Sequence, residues 1–203
     1  MTPLPVYPRP TITGVILAGG LGTRMGGADK GLQLSKGQTL VSHIAQRLAP
    51  QVDRLLINAN RNTSQYADLG YPLISDLITG FAGPLAGLQA ALSVADTEWV
   101  VTVPCDSPNL PLDLVSRLHA ALSAANAKLA LAKAGGRLHP VFCLCHRSLL
   151  PELETYLNGG GRKVAQWCFE TGAMEVDFSD QLDAFSNLNT VDDLLKSNAF
   201  LIS

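Results

Sequence analysis

Residues 12–31 read ITGVILAGGLGTRMGGADKG, and this stretch decides the kind of fold that the chain can adopt. The apolar run from Val15 to Ala18 predicts a short buried strand, which passes directly into a loop rich in glycine. Glycine lets backbone N–H groups come close to a ligand, and consecutive N–H groups form a concavity that binds anions. Arg24 and Lys30 add two cations. Strand, loop and cations together predict a polyphosphate site.

Two familiar phosphate-binding loops do not match this stretch. The Walker pattern needs a lysine between glycine and Ser/Thr, but Lys30 follows Asp29. The dinucleotide fingerprint fails because Met25 stands where its third glycine is required. A further alternative is that Lys30 only pairs with Asp29 at the surface. The paired cations on one glycine loop favour phosphate binding over that alternative.

Length and composition limit the class of protein. The chain has 203 residues, of which 47% are hydrophobic and 16% charged, so it can bury one substantial core. We expect a proline-rich, disordered lead-in over residues 1–11 and a single domain over residues 12–203. A net charge of −2 with no basic run argues against nucleic acid as a partner. The absence of a long apolar stretch and of a signal peptide argues against a membrane and favours a cytoplasmic location.

Predicted strands and helices alternate along the chain. Strands are expected at 14–18, 54–59, 72–75, 99–103, 128–132 and 141–145, and helices at 40–48, 85–95, 114–122, 149–157, 162–170 and from Thr190 onward. This alternation predicts an α/β fold of three layers, α/β/α, with a mostly parallel sheet. In such a sheet, ligands gather at the carboxyl ends of the strands.

Polar residues follow the predicted strands at that edge. Asp106 comes directly after a fully apolar strand and lies between Pro104 and Pro108, which restrict the backbone. A carboxylate held beside a triphosphate suits Mg²⁺, although a turn aspartate is the alternative. Asn58 and Asp76 end two other strands. They suit the edge of a base or a ribose hydroxyl, and they equally suit turn or cap positions.

The cysteines offer a weaker pattern. Cys143 and Cys145, with His139 and His146 nearby, have the residue types of a metal site. Tetrahedral zinc usually draws on two separated ligand pairs, and small buried cysteines are common in strands. The interpretation as a buried strand is therefore favoured. His139 is also a conceivable catalytic base, but a lone histidine is a weak signal.

The motifs resemble those of nucleotidyltransferases with the Rossmann-like, nucleotide-diphospho-sugar transferase fold, and within them the guanylyltransferases of molybdenum cofactor biosynthesis. The shared loop runs from Leu17 through Arg24 to Lys30. The further matching stretches are 58–61, 83–87, 104–108, 139–140, 176–180 and 184–190. The resemblance covers nearly the whole chain from Ile12 onward.

The resemblance implies transfer of GMP from GTP to the terminal phosphate of molybdenum-molybdopterin, with release of pyrophosphate and with Mg²⁺ as cofactor. It assigns nucleotide binding to Leu17, Ala18, Gly19, Gly20, Lys30, Asn58, Asp76 and Asp106. Catalysis falls to Arg24, Lys30 and Asp106, and Asp106 holds the metal. The pterin side is expected at Gly83, Asn187 and Asn189. The nucleotide-binding half then spans about 12–110 and the pterin-side half about 111–203.

Two alternatives are compatible with the shared loop. A cytidylyltransferase of the same fold is one, but relatives that use CTP commonly carry Ala where Gly19 stands, which favours GTP. The second alternative is a nucleotide-binding regulator without catalysis. Asp106 argues against it, because a carboxylate suited to holding a metal ion is typical of an enzyme of this kind. The expected partners are GTP, molybdenum-molybdopterin and the proteins that deliver or receive the cofactor.

Overall fold

The computed structural model of the protein describes residues 11–20, 29–78 and 83–188. The strands are β1 (Ile12–Leu17), β2 (Leu34–Ser35), β3 (Gln38–Thr39), β4 (Arg54–Asn58), β5 (Leu73–Ile74), β6 (Trp99–Pro104), β7 (Leu129–Ala134), β8 (Arg137–His146) and β9 (Met174–Asp177). The α-helices are α1 (Leu40–Leu48), α2 (Thr63–Ala67), α3 (Pro84–Val94), α4 (Leu114–Ala125), α5 (Leu150–Asn158) and α6 (Val164–Glu170). Residues 1–10 of the expected lead-in and the helix expected from Thr190 lie outside these ranges.

One mixed sheet forms the centre of the fold. Its seven strands follow the order β5-β4-β1-β6-β8-β7-β9, and β2 pairs with β3 in a separate small ribbon. Strands β5, β4, β1 and β6 are parallel neighbours, whereas β8 runs antiparallel to β6 and β7. The register places Leu17 opposite both Asn58 and Pro104. The carboxyl ends of three central strands therefore meet at one edge, as the sequence predicts.

Two hydrophobic clusters cover the two faces of this sheet. On β1, Ile16 belongs to the cluster that contains α1 and α4, and its neighbour Val15 belongs to the cluster that contains α3, α5 and α6. Successive residues of a strand point to opposite faces, so each side of the sheet acquires its own helical layer. The expected three-layer α/β/α architecture with a mostly parallel sheet is confirmed. No helix of the described residues is long and apolar enough to cross a membrane.

The region after β7 differs from simple alternation. Gly135 and Gly136 adopt φ values of 55° and 76°, and they join β7 to β8 as a tight hairpin. Two-residue hairpin turns usually require positive φ at both residues. Because the hairpin joins β7 directly to the antiparallel β8, no helix lies between these two strands. His139 consequently lies inside β8 rather than before a strand. Strand β9 and helix α2 were not predicted, because each is too short to show a periodic pattern.

Candidate nucleotide site

Backbone hydrogen bonds join the strand ends that the sequence singled out. Beyond β1, the amide of Ala18 donates to the carbonyl of Asn58 over 2.8 Å, and the amide of Cys105 donates to the carbonyl of Leu17 over 3.2 Å. Ala18 is buried, whereas Gly20 is exposed. The segment Leu17–Gly20 therefore leaves the sheet between the ends of β4 and β6, and its backbone lines this edge.

Lys30 and Asp106 meet on one side of this edge. The Lys30 ammonium lies 3.2 Å from Oδ2 of Asp106, and the two side chains are only 21% and 12% exposed. Among the described residues, none donates a hydrogen bond to the buried Oδ1 of Asp106. A buried carboxylate oxygen without a donor is costly, and it suits a cation that uses one or two carboxylates together with phosphate oxygens. Asp106 thus fits the metal role that the sequence predicts.

Asn58 and Asp76 meet on the other side. The amide of Asn58 donates to Oδ1 of Asp76 over 2.9 Å. Asn60 holds the same carboxylate twice, because its amide donates to Oδ2 over 2.8 Å and its carbonyl oxygen accepts from the backbone N–H of Asp76 over 2.9 Å. Sequence reasoning missed Asn60. Its position two residues after Asn58 was the available signal, since alternate residues of an extended chain face the same way.

Two glycines make room for these amides. A Cβ at Gly87 would lie 2.6 Å from Oδ1 of Asn58, and one at Gly19 would lie 2.8 Å from Nδ2 of Asn60. Both distances are shorter than real Cβ contacts allow, so a larger residue would displace the amides. Gly87 lies in the first turn and a half of α3, and the close approach explains why a glycine occupies a buried helix position there.

The expected pterin-side residues are only partly within the described chain. Asn187 is exposed, and its Oδ1 accepts a hydrogen bond from the Ser107 hydroxyl over 2.8 Å. The amide of Leu188 donates to the carbonyl of Asp106 over 2.9 Å, so this segment lies against the end of β6. Gly83 has φ 80° and precedes Pro84, the first residue of α3. Arg24 and Asn189 lie outside the described residues.

The histidine and the cysteines of the weaker pattern occupy apolar surroundings. The His139 ring lies 4.8 Å from the Phe185 ring, and burial lowers the pKa of this imidazole, so it stays neutral near pH 7. Cys143 and Cys145 pack with Cys168 in the cluster under α5 and α6. Burial raises the pKa of all three thiols, as expected for small core residues.

Comparisons with known proteins identify the family of the chain. Residues 14–172 match the model of the MobA-like NTP transferase domain. A molybdenum cofactor guanylyltransferase of Cupriavidus pinatubonensis is 51% identical over 191 residues, which are 92% of this chain and 96% of that protein. The crystal structure of molybdopterin-guanine dinucleotide biosynthesis protein A from Archaeoglobus fulgidus superposes with a TM-score of 0.76. It is 23% identical and covers 93% of this chain and 97% of its own, so this likeness concerns the fold alone.

The same fold also appears in 2-C-methyl-D-erythritol 4-phosphate cytidylyltransferase from Thermus thermophilus, with a TM-score of 0.65 at 17% identity over 92% of this chain and 96% of that one. Fold and sequence match together define the chain as a nucleotidyltransferase of the Rossmann-like class. Within that class, the chain belongs to the MobA-like NTP transferase family, whose domain model spans most of its length.

Proposed function

We propose that the protein transfers GMP from GTP to the terminal phosphate of molybdenum-molybdopterin, giving the guanine dinucleotide form of the cofactor and pyrophosphate. The observation that carries this proposal is the 51% identity with a molybdenum cofactor guanylyltransferase over 96% of that protein's length. A match that extends over both halves of the chain supports a shared second substrate as well as a shared nucleotide.

The reaction is a substitution at the α-phosphorus of GTP. An oxygen of the pterin's terminal phosphate forms a new bond to that phosphorus, and the bond to the β-phosphate oxygen breaks with its electron pair, which leaves on pyrophosphate. A phosphate monoester already carries a charge of about −1.5 to −2 at pH 7, so it needs no general base. Positioning and charge neutralisation are therefore the main tasks of the protein.

The nucleoside is proposed to bind between β1 and β4. The backbone of Leu17, Ala18, Gly19 and Gly20 supplies hydrogen-bonding groups along the strand end. Because Asn58 donates to Asp76, the Oδ1 atom of Asn58 is turned toward Gly87 and Gly19. That oxygen is an acceptor for N–H groups of a base or for a ribose hydroxyl, and Asp76 offers its remaining lone pairs.

The triphosphate is proposed to lie against Lys30 and Asp106, with Arg24 as a second cation. Lys30 supplies a compact point charge, and Arg24 has a planar fork that binds two oxygens. Asp106 would hold Mg²⁺ through the oxygen that lacks a donor among the described residues. When bound, the cation neutralises charge on the phosphates.

The pterin is proposed to lie beside Gly83, Asn187 and Asn189. The Ser107 hydroxyl donates to Oδ1 of Asn187, which leaves the exposed amide N–H groups of Asn187 to donate to an acceptor on this substrate. Ser107 directly follows Asp106, so the two substrates would meet at the end of β6. Proteins that deliver or receive the pterin are expected as further partners.

The first test is a calorimetric titration of the purified protein with GTP, CTP, ATP and UTP, each with Mg²⁺. Preferential binding of GTP supports the proposal and leads to an anaerobic pyrophosphate-release assay with molybdenum-molybdopterin. Preference for CTP would point to a cytidylyltransferase instead. Binding of GTP without pyrophosphate release in the presence of the pterin would contradict the proposed reaction.

A further inference from the structure

Asp29, the residue before Lys30, has a buried carboxylate with an unusually full set of partners. The residue is 7% exposed. Its Oδ1 accepts from the Tyr66 hydroxyl over 2.6 Å and from the backbone N–H of Gly31 over 3.2 Å. Its Oδ2 accepts from the amide of Asn62 over 3.0 Å. Both carboxylate oxygens are therefore fixed by groups on or beside helix α2.

The charge of this carboxylate is also compensated. The Arg61 Nε atom lies 3.7 Å from Oδ2 of Asp29 and provides the opposite charge. The Gln33 side chain fixes the backbone instead, because it donates to the Asp29 carbonyl over 3.2 Å. A buried charge is tolerated when it is paired and hydrogen-bonded. Burial and the Asp29 hydrogen bond raise the pKa of Tyr66, so its hydroxyl keeps the donated proton through the physiological range.

The short turn that carries Lys30 is packed between Tyr66 and the end of β6. A Cβ at Gly31 would lie 2.5 Å from the Tyr66 hydroxyl oxygen and 3.4 Å from Cβ of Cys105. Glycine at this position is what lets the Tyr66 hydroxyl reach Asp29. Because Cys105 immediately precedes Asp106, the same packing brings Lys30 to the 3.2 Å contact with Asp106.

We propose that Asp29 and Tyr66 are positioning residues, which hold Lys30 beside Asp106 before the nucleotide arrives. The inference rests on the proposed function, because it assigns Lys30 to the phosphates of GTP. A lysine side chain loses much rotamer freedom when it binds a ligand, and fixing it in advance lowers that cost. Neither residue touches the substrate in this scheme, and both act through Lys30.

The first experiment examines the protein without nucleotide. The rate at which acetic anhydride modifies Lys30 is measured by peptide mass spectrometry, with Lys133 as the internal reference. Tyr66→Phe removes only the hydroxyl donor, and we expect the relative rate at Lys30 to rise roughly threefold as the ion pair with Asp106 loosens. An unchanged relative rate overturns the inference.

Tyr66 is fully buried, so Tyr66→Phe could disturb folding itself. A second variant at an exposed residue therefore tests the same hydrogen-bond network. Asn62 is exposed and has φ 51°, which glycine adopts without strain. Asn62→Gly therefore removes one donor to Asp29 while the backbone is preserved, and we expect a smaller rise at Lys30. The matched control is Tyr156→Phe, which loses a hydroxyl bond to the Lys163 carbonyl far along the chain and leaves the Lys30 rate unchanged.

The second experiment is a double-mutant cycle on the Kd of GTP with Mg²⁺. Tyr66→Phe is expected to weaken binding about tenfold when Lys30 is present. In the Lys30→Ala background the same change should have almost no effect on the Kd, because the lysine through which Tyr66 acts is absent. A loss of the same size in both backgrounds means that Tyr66 acts only on general stability, which overturns the inference.

The two experiments separate this inference from the proposed function. Failure of the unmodified protein to bind GTP counts against the proposed function, while the labelling rates still decide whether Tyr66 and Asp29 hold Lys30. Conversely, normal binding of GTP with unchanged labelling in Tyr66→Phe leaves the proposed function in place and rejects the positioning role.

Discussion

The ammonium of Lys30 lies 3.2 Å from Oδ2 of Asp106, although 76 residues separate them in sequence. The contact joins the end of the glycine-rich loop to the end of β6. It brings together one cation suited to phosphate and one carboxylate suited to a metal ion. The other oxygen of Asp106 has no donor among the described residues, so Lys30 satisfies only one of the two carboxylate oxygens. This arrangement leaves the carboxylate able to accept a further cation.

Asp106→Asn should remove most of the turnover while nucleotide still binds. The amide keeps the shape of the side chain but supplies no charge for a metal ion, so we expect pyrophosphate release to fall about 10²–10³-fold. The backbone carbonyl that receives the Leu188 amide is unaffected, so the neighbouring segment stays in place. Pyrophosphate release with GTP, Mg²⁺ and molybdenum-molybdopterin is the measurement.

The matched control for this substitution is Asp96→Asn. Asp96 also forms an ion pair, with Arg54 at 2.9 Å, but both side chains are more than half exposed. Arg54 begins β4 and Asp96 precedes β6, so this pair lies at the amino ends of these strands, away from Asp106. Exposed pairs contribute little, so turnover should be normal. Normal turnover in Asp106→Asn would remove the metal assignment.

Lys30→Ala should act first on nucleotide binding. Loss of one charge-assisted contact to phosphate predicts a Kd for GTP that is about tenfold to a hundredfold weaker. Lys133→Ala is the control, because Lys133 pairs with Glu175 on the far strands β7 and β9. Calorimetry on both variants decides the matter, and an unaltered Kd in Lys30→Ala would contradict the phosphate role.

Gly87→Ala tests the nucleoside side of the site without removing any polar group. The new methyl would lie 2.6 Å from Oδ1 of Asn58 and 2.7 Å from a methyl of Leu17, so Asn58 must move. We expect weaker GTP binding even though alanine favours a helix. Gly159→Ala is the control, since its Cβ would come no nearer than 3.4 Å to its neighbours. Equal affinities in the two variants would argue that Asn58 does not contact the nucleoside.

The meeting of Asn58, Asp76 and Asp106 at one edge was predictable, because parallel strands end together and each of these residues closes an apolar run. The individual contacts were not. Asn58 pairs with Asp76, whereas Asp106 pairs with Lys30. Which side chains meet depends on which strands are neighbours in the sheet, and the sequence positions of the strands do not reveal that order. The antiparallel insertion of β8 beside β6 also escaped prediction, because alternation alone does not give the order of strands in a sheet.

Asp29 shows a second limit of sequence reasoning. Beside Lys30 it resembles half of a surface ion pair, but it is buried and receives the hydroxyl of Tyr66. Tyr66 lies on α2, a helix of five residues that carries no periodic signal of its own. The contribution of this helix to the site is one buried hydroxyl, and that contact is visible only in the folded structure.

Cys105, which adjoins Asp106, gives a prediction about pH. Burial first, and then the negative charges of Asp106 and Asp29, raise the pKa of this thiol from 9.0 to about 12. Only the thiolate is alkylated, so at pH 8 iodoacetamide should modify native Cys105 far more slowly than an unfolded thiol. Because the folded pKa is raised, the neutral thiol contributes stability that is complete below pH 9 and is lost as the pH rises toward 12. Unfolding free energies of the protein and of Cys105→Ala, measured between pH 8 and pH 10.5, should therefore converge as the pH increases. Parallel curves, or rapid alkylation of the native thiol, would show that the folded surroundings do not raise the pKa of Cys105.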